Sequence, residues 1–234
     1  MTENYFYKII TKYKTENIDE IQKKFEIYFN ELVSYNEKVN LTSITKKDEV
    51  YEKHFIDSIL PSDFIKDGST VCDIGTGAGF PSYPLAIINP TLKIYAVDSL
   101  NKRIDFLNML SQKLELTNVF NFHSRAEDFV KNYREKFNYV VSRAVSKLNT
   151  LAEYCLPLVK IGGYMLAYKS LSYKEELAEA ENAIKILGGK VECILEYDLE
   201  LTEQKRYIIA IKKIKETPKK YPRGQNKPKL QPIK

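Results

Sequence analysis

Ile18, Ile21, Phe25, Phe29 and Leu32 recur at three- and four-residue steps, with lysines and glutamates between them. That spacing predicts an amphipathic helix over residues 18–37, with Asn17 as its N-cap. The pattern breaks between Asn36 and Thr45. A second helix is predicted from about Lys47 to Ile59, stopping at Pro61. No segment before residue 60 alternates like a strand, so residues 1–60 read as a helical N-terminal extension.

From Ser69 the texture changes to short apolar runs separated by helix-length amphipathic stretches. Strands are predicted at Thr70–Ile74, Lys93–Val97, Asn118–Phe122, Tyr139–Ser142 and Tyr164–Tyr168, with helices at 81–88, 101–115, 126–134, 147–158 and 173–187. Gly162-Gly163 and Gly188-Gly189 punctuate strand entries. Such alternation implies right-handed βαβ crossovers and a mostly parallel sheet. Val191–Glu196 and Arg206–Lys212 read as closing strands in an antiparallel hairpin at one sheet edge. The expected organisation is an extension (1–60), an α/β core (61–214) and a basic tail (215–234). Prolines 218, 222, 228 and 232 bar a regular helix from that tail.

The 234 residues, 44% hydrophobic and 29% charged, suit a soluble α/β domain with an attachment. No apolar run approaches the roughly 20 residues of a membrane helix. Met1–Tyr13 has neither the apolar core nor the cleavage site of a signal peptide. A cytoplasmic protein without membrane contact is expected. Cys72, Cys155 and Cys193 are widely spaced, in apolar surroundings, and form no CxxC, which predicts buried free thiols. With His54 and His123 as the only histidines, no metal site is expected. The net charge of +5 is uneven: residues 212–234 carry nine lysines and arginines against Glu216, leaving residues 1–211 at −3. A basic tail on a mildly acidic body reads as a polyanion contact, nucleic acid first, or as a solvated coil.

Chemistry concentrates at Asp73-Ile74-Gly75-Thr76-Gly77-Ala78-Gly79, which follows the first strand and opens a helix. Ligands of open α/β sheets bind there, at the carboxyl ends of the strands. A dinucleotide site prefers G-x-G-x-x-G, but that spacing puts Phe80 in the third glycine's place. Asp73 would also repel a pyrophosphate, whereas it tolerates an ammonium, directly or through water. Asp98 ends the second strand, where a carboxylate holds ribose hydroxyls or starts the following helix. These features favour an adenosine ligand with a methionine moiety over NAD. In this topology the loop Ser124-Arg125-Ala126-Glu127 covers the adenine, with Phe80 packed nearby; Glu127 also suits a helix N-terminus.

With those residues in place, the chain resembles the glucose-inhibited division protein B family, the bacterial 16S ribosomal RNA guanine-N7 methyltransferases. The resemblance rests on Asn40-Leu41-Thr42, His54-Phe55-Ile56-Asp57-Ser58, Asp73 to Pro81, Asp98-Ser99 with Lys102-Arg103, Arg125-Ala126-Glu127, Ser142-Arg143-Ala144, Thr217-Pro218 and Tyr221-Pro222-Arg223. It covers most of the chain. It implies a class I, Rossmann-like S-adenosylmethionine-dependent core behind a helical segment. Gly75, Phe80, Ala126, Glu127 and Arg143 would contact the cofactor, beside Asp73, Gly77 and Gly79 of the loop, with Asp98 at the ribose. The implied substrate is one guanine of 16S RNA in the small ribosomal subunit or its precursor. A monomer is expected, though the residues leave the oligomeric state open. Ser82, Ser170 and Gly224 depart from the family pattern.

Guanine N7 carries a lone pair and no proton, so no general base is required and alignment should dominate the acceleration. Arg143 is the leading catalytic candidate, against a reading as a buried ion pair. Asn40, in the turn after the first helix, is the second, against a reading as an Asx cap. His54 and Asp57 read as packing between extension and core. Lys169, Arg206, Lys219, Lys220 and Arg223 are the candidates for RNA phosphates. Two other functions compete. One is methylation of a small molecule or protein, which needs neither tail nor extension. The other is a ribosomal RNA-binding assembly factor with a vestigial cofactor fold, disfavoured by the intact loop and Asp98.

Overall fold

The protein was analysed as a computed structural model that describes residues 2–13, 16–143 and 146–234. Ala144, which closes the Ser142-Arg143-Ala144 motif, lies outside them, as do Met1, Lys14, Thr15 and Val145.

Strands β1 (Thr70–Ile74), β2 (Lys93–Asp98), β3 (Val119–His123), β4 (Phe137–Arg143) and β5 (Val159–Lys169) pair in parallel. β6 (Gly189–Leu199) and β7 (Gln204–Lys213) form an antiparallel hairpin, and β7 also runs antiparallel to β5. Among the described residues the sheet order is β3-β2-β1-β4-β5-β7-β6. The order reverses at β1, whose neighbours are β2 and β4, and a crevice opens above their carboxyl ends.

Side chains of successive strand residues enter opposite cores, as the strand period of two requires. Val71, Ile94, Ala96, Tyr139, Val141, Leu166 and Tyr168 face one cluster; Cys72, Val97, Val140, Met165 and Ala167 face the other. On the second face lie α7 (Ala126–Tyr133), α8 (Leu148–Cys155) and α9 (Tyr173–Ile186). On the first lie α5 (Ser82–Ile88) and α6 (Asn101–Lys113), joined by the N-terminal helices. Cys72 and Cys155 are buried free thiols, while Cys193 on β6 is half-buried.

The N-terminal segment shares this core. α1 (Thr2–Tyr13) contributes Phe6, Ile9 and Ile10, and α2 (Ile18–Asn36) contributes Ile21, Phe25, Tyr28 and Leu32. Burying each such side chain contributes roughly 1.5–3 kcal/mol. Asn17 precedes α2 in a left-handed conformation and makes no side-chain cap, contrary to the N-cap reading. The turn after α2 is held by Asn36, whose Oδ1 accepts from the amides of Leu41 (2.7 Å) and Thr42 (3.0 Å). The predicted second helix runs from α3 (Lys47–Val50) through a π-helical stretch, Tyr51–Ile56, into α4 (Asp57–Ile59). Wide π turns inside helices recur at functional sites, and this one presents Lys53 and His54 to the crevice.

The proline-rich tail is docked. The Lys213 ammonium is fully buried against the Leu156 carbonyl (2.6 Å), Thr217 Oγ1 (2.6 Å) and Glu135 (3.1 Å). Arg134 donates to the Thr217 and Tyr221 carbonyls. Tyr221 and Ile233 join the second core cluster, and a short helix, α10 (Lys227–Leu230), lies against α8. No helix among the described residues is long and apolar enough to cross a membrane.

Candidate active site

A cavity of about 1060 Å³ occupies the crevice, walled by the glycine loop, the ends of β2, β3 and β4, the N-terminal segment, β7 and the tail. Gly75 (φ 74°) and Gly77 (φ 61°) line it in left-handed conformations, where a side chain is strained. A Cβ on Gly77 would stand in open space, its nearest neighbour the Gly75 oxygen at 4.0 Å, so the loop is a cradle that a side chain would fill. Gly79 (φ 100°) serves a different purpose. A Cβ there would meet Tyr28 Oη at 2.7 Å and Tyr83 Cδ2 at 2.8 Å, and Gly79 does not line the cavity. Tyr28 also donates to the Ala78 carbonyl at 2.6 Å. The expectation that Gly79 touches the ligand is thus corrected: it lets a tyrosine of the extension support the loop from beneath.

Asp73 is also beneath the loop rather than in the cavity wall. Oδ2 accepts the Ser82 amide at 3.3 Å, and Ser82 Oγ meets Thr76 Oγ1 at 2.6 Å. Oδ1 is buried with no partner. Burial pushes the Asp73 carboxyl up to about 7 against the opposing bonds from Thr76 and Ser82. Ser82 is therefore the first residue of α5 and a fully buried support of Asp73. A cationic ligand above the loop would favour the ionised carboxylate.

Asp98 does line the cavity, with its carboxylate already engaged. Oδ2 accepts from Gly77 N (2.9 Å) and Arg103 Nη1 (3.1 Å), and Oδ1 from Leu100 N (2.9 Å). The acid thus ties the glycine loop to the start of α6, with one acceptor position of Oδ1 left uncommitted. Ala126 and Glu127 line the same end at the N-terminus of α7, with Tyr154 of α8 and Asn226 of the tail.

Arg143, at the end of β4, forms the centre of the opposite end. Nη1 donates to the Lys53 carbonyl (2.8 Å) and to Asp57 Oδ2 (2.9 Å), while Nη2 lies 3.0 Å from His54 Nδ1. Its guanidinium carbon sits 5.0 Å from the Phe80 ring centre. Burial, reinforced by the Arg143 charge, pushes His54 down to about 3, so its imidazole is neutral. Phe80 is stacked between Tyr28 (5.4 Å, 15°) and His54 (4.5 Å, 24°). Phe80 lines the cavity, and these rings hold it beside Arg143.

The other sequence candidates divide. Asn40 is exposed and does not line the cavity, so its expected place near the reacting base is corrected; Leu41 and Thr42 line it instead. Lys169 lines the cavity but is paired with Glu176 (2.6 Å), and Arg206 with Asp57 Oδ1 (3.2 Å). Arg223 embraces the fully buried Glu153 through its backbone amide, Nε and Nη2, at 2.7–2.9 Å. Its expected role on phosphate is corrected to a clamp on the tail, because release would strand a buried carboxylate. Lys219 and Lys220 are exposed. Sequence reasoning missed Tyr28, although its spacing from Phe25 and Leu32 marks it as core. It also passed over Tyr154 and Asn226, which carry no local signal.

The architecture with this loop defines a class I S-adenosylmethionine-dependent methyltransferase. Solved structures of similar fold include a SAM-dependent methyltransferase from Aquifex aeolicus, with TM-score 0.56, 19% identity, and coverage of 76% of this chain and 97% of that one. Another is the AdoMet complex of TYW2 from M. jannaschii, with TM-score 0.57, 14% identity, and coverage of 74% and 80%. The family described as GidB, rRNA small subunit methyltransferase G, matches residues 21–210. Relatives called Ribosomal RNA small subunit methyltransferase G are 51% identical over 187 residues in Lactobacillus acidophilus (77% of this chain, 78% of the relative) and 52% identical over 186 residues in Oceanobacillus iheyensis (77% and 78%). The chain belongs to this rRNA small subunit methyltransferase G family.

S-adenosylmethionine is the cofactor. The open cradle at Gly77 and the Asp98 carboxylate fit a cationic adenosine ligand.

Proposed function

We propose that this chain methylates N7 of one guanine in 16S ribosomal RNA, with the small subunit or its precursor as the particle it meets. S-adenosylmethionine, when bound, supplies a methyl on positively charged sulfur; the N7 lone pair forms the new bond while the carbon–sulfur pair leaves with sulfur. Gly75, Gly77, Asp98, Ala126 and Glu127 hold the adenosine side. Arg143, beside Phe80, divides that side from the acceptor side.

The observation that carries the N7 reading is the acceptor side itself. Among the described residues lining it, each carboxylate is ion-paired: Asp57 with Arg143 and Arg206, and Glu176 with Lys169. His54 is neutral and engaged at both ring nitrogens. No group there is poised as a general base. A nucleophile without a proton, such as guanine N7, needs none. Alignment in the cleft carries the acceleration, where effective molarities contribute about 7–11 kcal/mol. The exposed Lys219 and Lys220 support approach of an RNA backbone. A ribosomal substrate supports action in the cytoplasm.

The test is methyl transfer from labelled S-adenosylmethionine to unmodified small subunits, followed by nucleoside analysis. Label in 7-methylguanosine is expected. Label confined to adenosine, cytidine or protein would overturn the assignment.

A further inference from the structure

The acceptor end of the cavity contains a hydroxyl whose hydrogen-bonding direction is fixed by its neighbours. Arg143 Nη2 lies 3.0 Å from His54 Nδ1. A guanidinium only donates, so Nδ1 must offer its lone pair. The competing contact, from Nδ1 to the Lys53 carbonyl, is longer at 3.2 Å, and that carbonyl already accepts from Arg143 Nη1 at 2.8 Å. The single proton of the neutral ring therefore sits on Nε2.

Nε2 is 2.8 Å from Thr42 Oγ1, which accepts that proton's hydrogen bond. The Ile44 amide donates to the same oxygen at 3.1 Å. A hydroxyl has two lone pairs, and both are now taken. What remains is its own O–H, on a half-buried residue that lines the cavity. The arrangement is stiff. His54 is stacked on Phe80, Phe80 on Tyr28, and the turn carrying Thr42 is tied to Asn36.

We propose that Thr42 donates this hydrogen bond to O6 of the target guanine and selects guanine over adenine. Guanine presents two acceptors, N7 and O6, on one edge, whereas adenine pairs its N7 with an amino donor. A hydroxyl free only to donate matches the first edge and opposes the second. Thr42 is thus a specificity-determining residue, and Arg143, acting through His54, is the positioning residue that sets its polarity. The inference rests on the guanine-N7 reading above and names the contact that reads the base.

The test uses small subunits reconstituted with RNA that carries guanine or 2-aminopurine at the methylated position. 2-Aminopurine keeps N7 and lacks O6. Wild type, Thr42→Val and Thr42→Ser are compared for methyl transfer and for S-adenosylmethionine affinity. On guanine, Thr42→Val should lose about 10- to 100-fold in kcat/KM, the scale of one buried base contact. Wild type should lose a similar factor on 2-aminopurine, and Thr42→Val should lose nothing more there, because both changes remove the same bond. Thr42→Ser should stay close to wild type, and cofactor affinity should be the same in all three. Additive losses, a fully active Thr42→Val, or a Thr42→Val that binds cofactor more weakly would each overturn the proposal. Wild type failing to label the guanine particle would instead overturn the guanine-N7 reading itself.

Discussion

Arg143 Nη1 lies 2.9 Å from one oxygen of Asp57, and Arg206 Nε lies 3.2 Å from the other. One buried carboxylate therefore joins β4 and β7 to the N-terminal segment and leaves an excess positive charge beside the cavity. Arg143→Ala should remain folded, because Arg206 still pairs Asp57, yet lose methyl transfer by at least about 100-fold, since positioning of the reacting groups is lost. Arg143→Lys should not restore it; an ammonium cannot span a carbonyl, a carboxylate and an imidazole in one plane. Circular dichroism and methyl transfer together check this, and unchanged transfer by Arg143→Ala would refute it.

Tyr28 places a hydroxyl 2.6 Å from the Ala78 carbonyl, in the space that Gly79 leaves. Tyr28→Phe should destabilise the protein by roughly 1–3 kcal/mol, the cost of stranding a buried carbonyl. The loop loses its support, so S-adenosylmethionine affinity should fall as well. Denaturant unfolding and calorimetric titration measure the two. Lost stability with unchanged affinity would separate the extension from the cofactor loop.

The strand runs ending at Ile74 and Asp98, the helices between them and the edge hairpin were legible because each has its own period and punctuation. The apolar face of α2 was legible too, although Tyr28 was not singled out. What escaped is set by partners remote in sequence. Nothing near Phe80 says that Tyr28 and His54 will hold its ring at the Arg143 end. The tail reads as coil because its anchors, Glu135, Glu153 and Thr150, lie far upstream. The π-helical stretch has no local signature, yet it delivers His54 and Lys53 to Arg143. Asn40 and Asn36 both suit a turn, and only the fold shows that Asn36 holds it.

Asp73 makes stability depend on pH in an unusual sense. Burial pushes its carboxyl up to about 7 in the folded state, above the roughly 3.9 of an unfolded chain. Its contribution is fully present below the unfolded value and is lost as pH rises through the folded one. The cofactor-free protein should therefore lose stability between about pH 4 and pH 7, by a few kcal/mol at most. Asp73→Asn should flatten that slope, and denaturant midpoints across the range will show it. Equal slopes in both proteins would remove Asp73 from the argument.

The tail residues should separate by role. Arg223→Ala removes both guanidinium bonds to the buried Glu153, leaving it only the backbone amide of residue 223, and should cost about 3–5 kcal/mol. Lys219→Ala and Lys220→Ala, at exposed positions, should leave stability unchanged. Each should weaken RNA binding and reduce the dependence of log affinity on log salt by about one phosphate contact. Unfolding and salt-titrated RNA binding test both halves. A stable Arg223→Ala, or lysine variants with the wild-type salt slope, would contradict the division.

The most direct measurement is a map of 7-methylguanine along 16S RNA from cells with and without this gene. One guanine should lose its methyl group when the gene is removed and regain it when the wild-type gene, but not the Arg143→Ala variant, is restored. An identical map in both strains would contradict the assignment of this chain to guanine-N7 methylation.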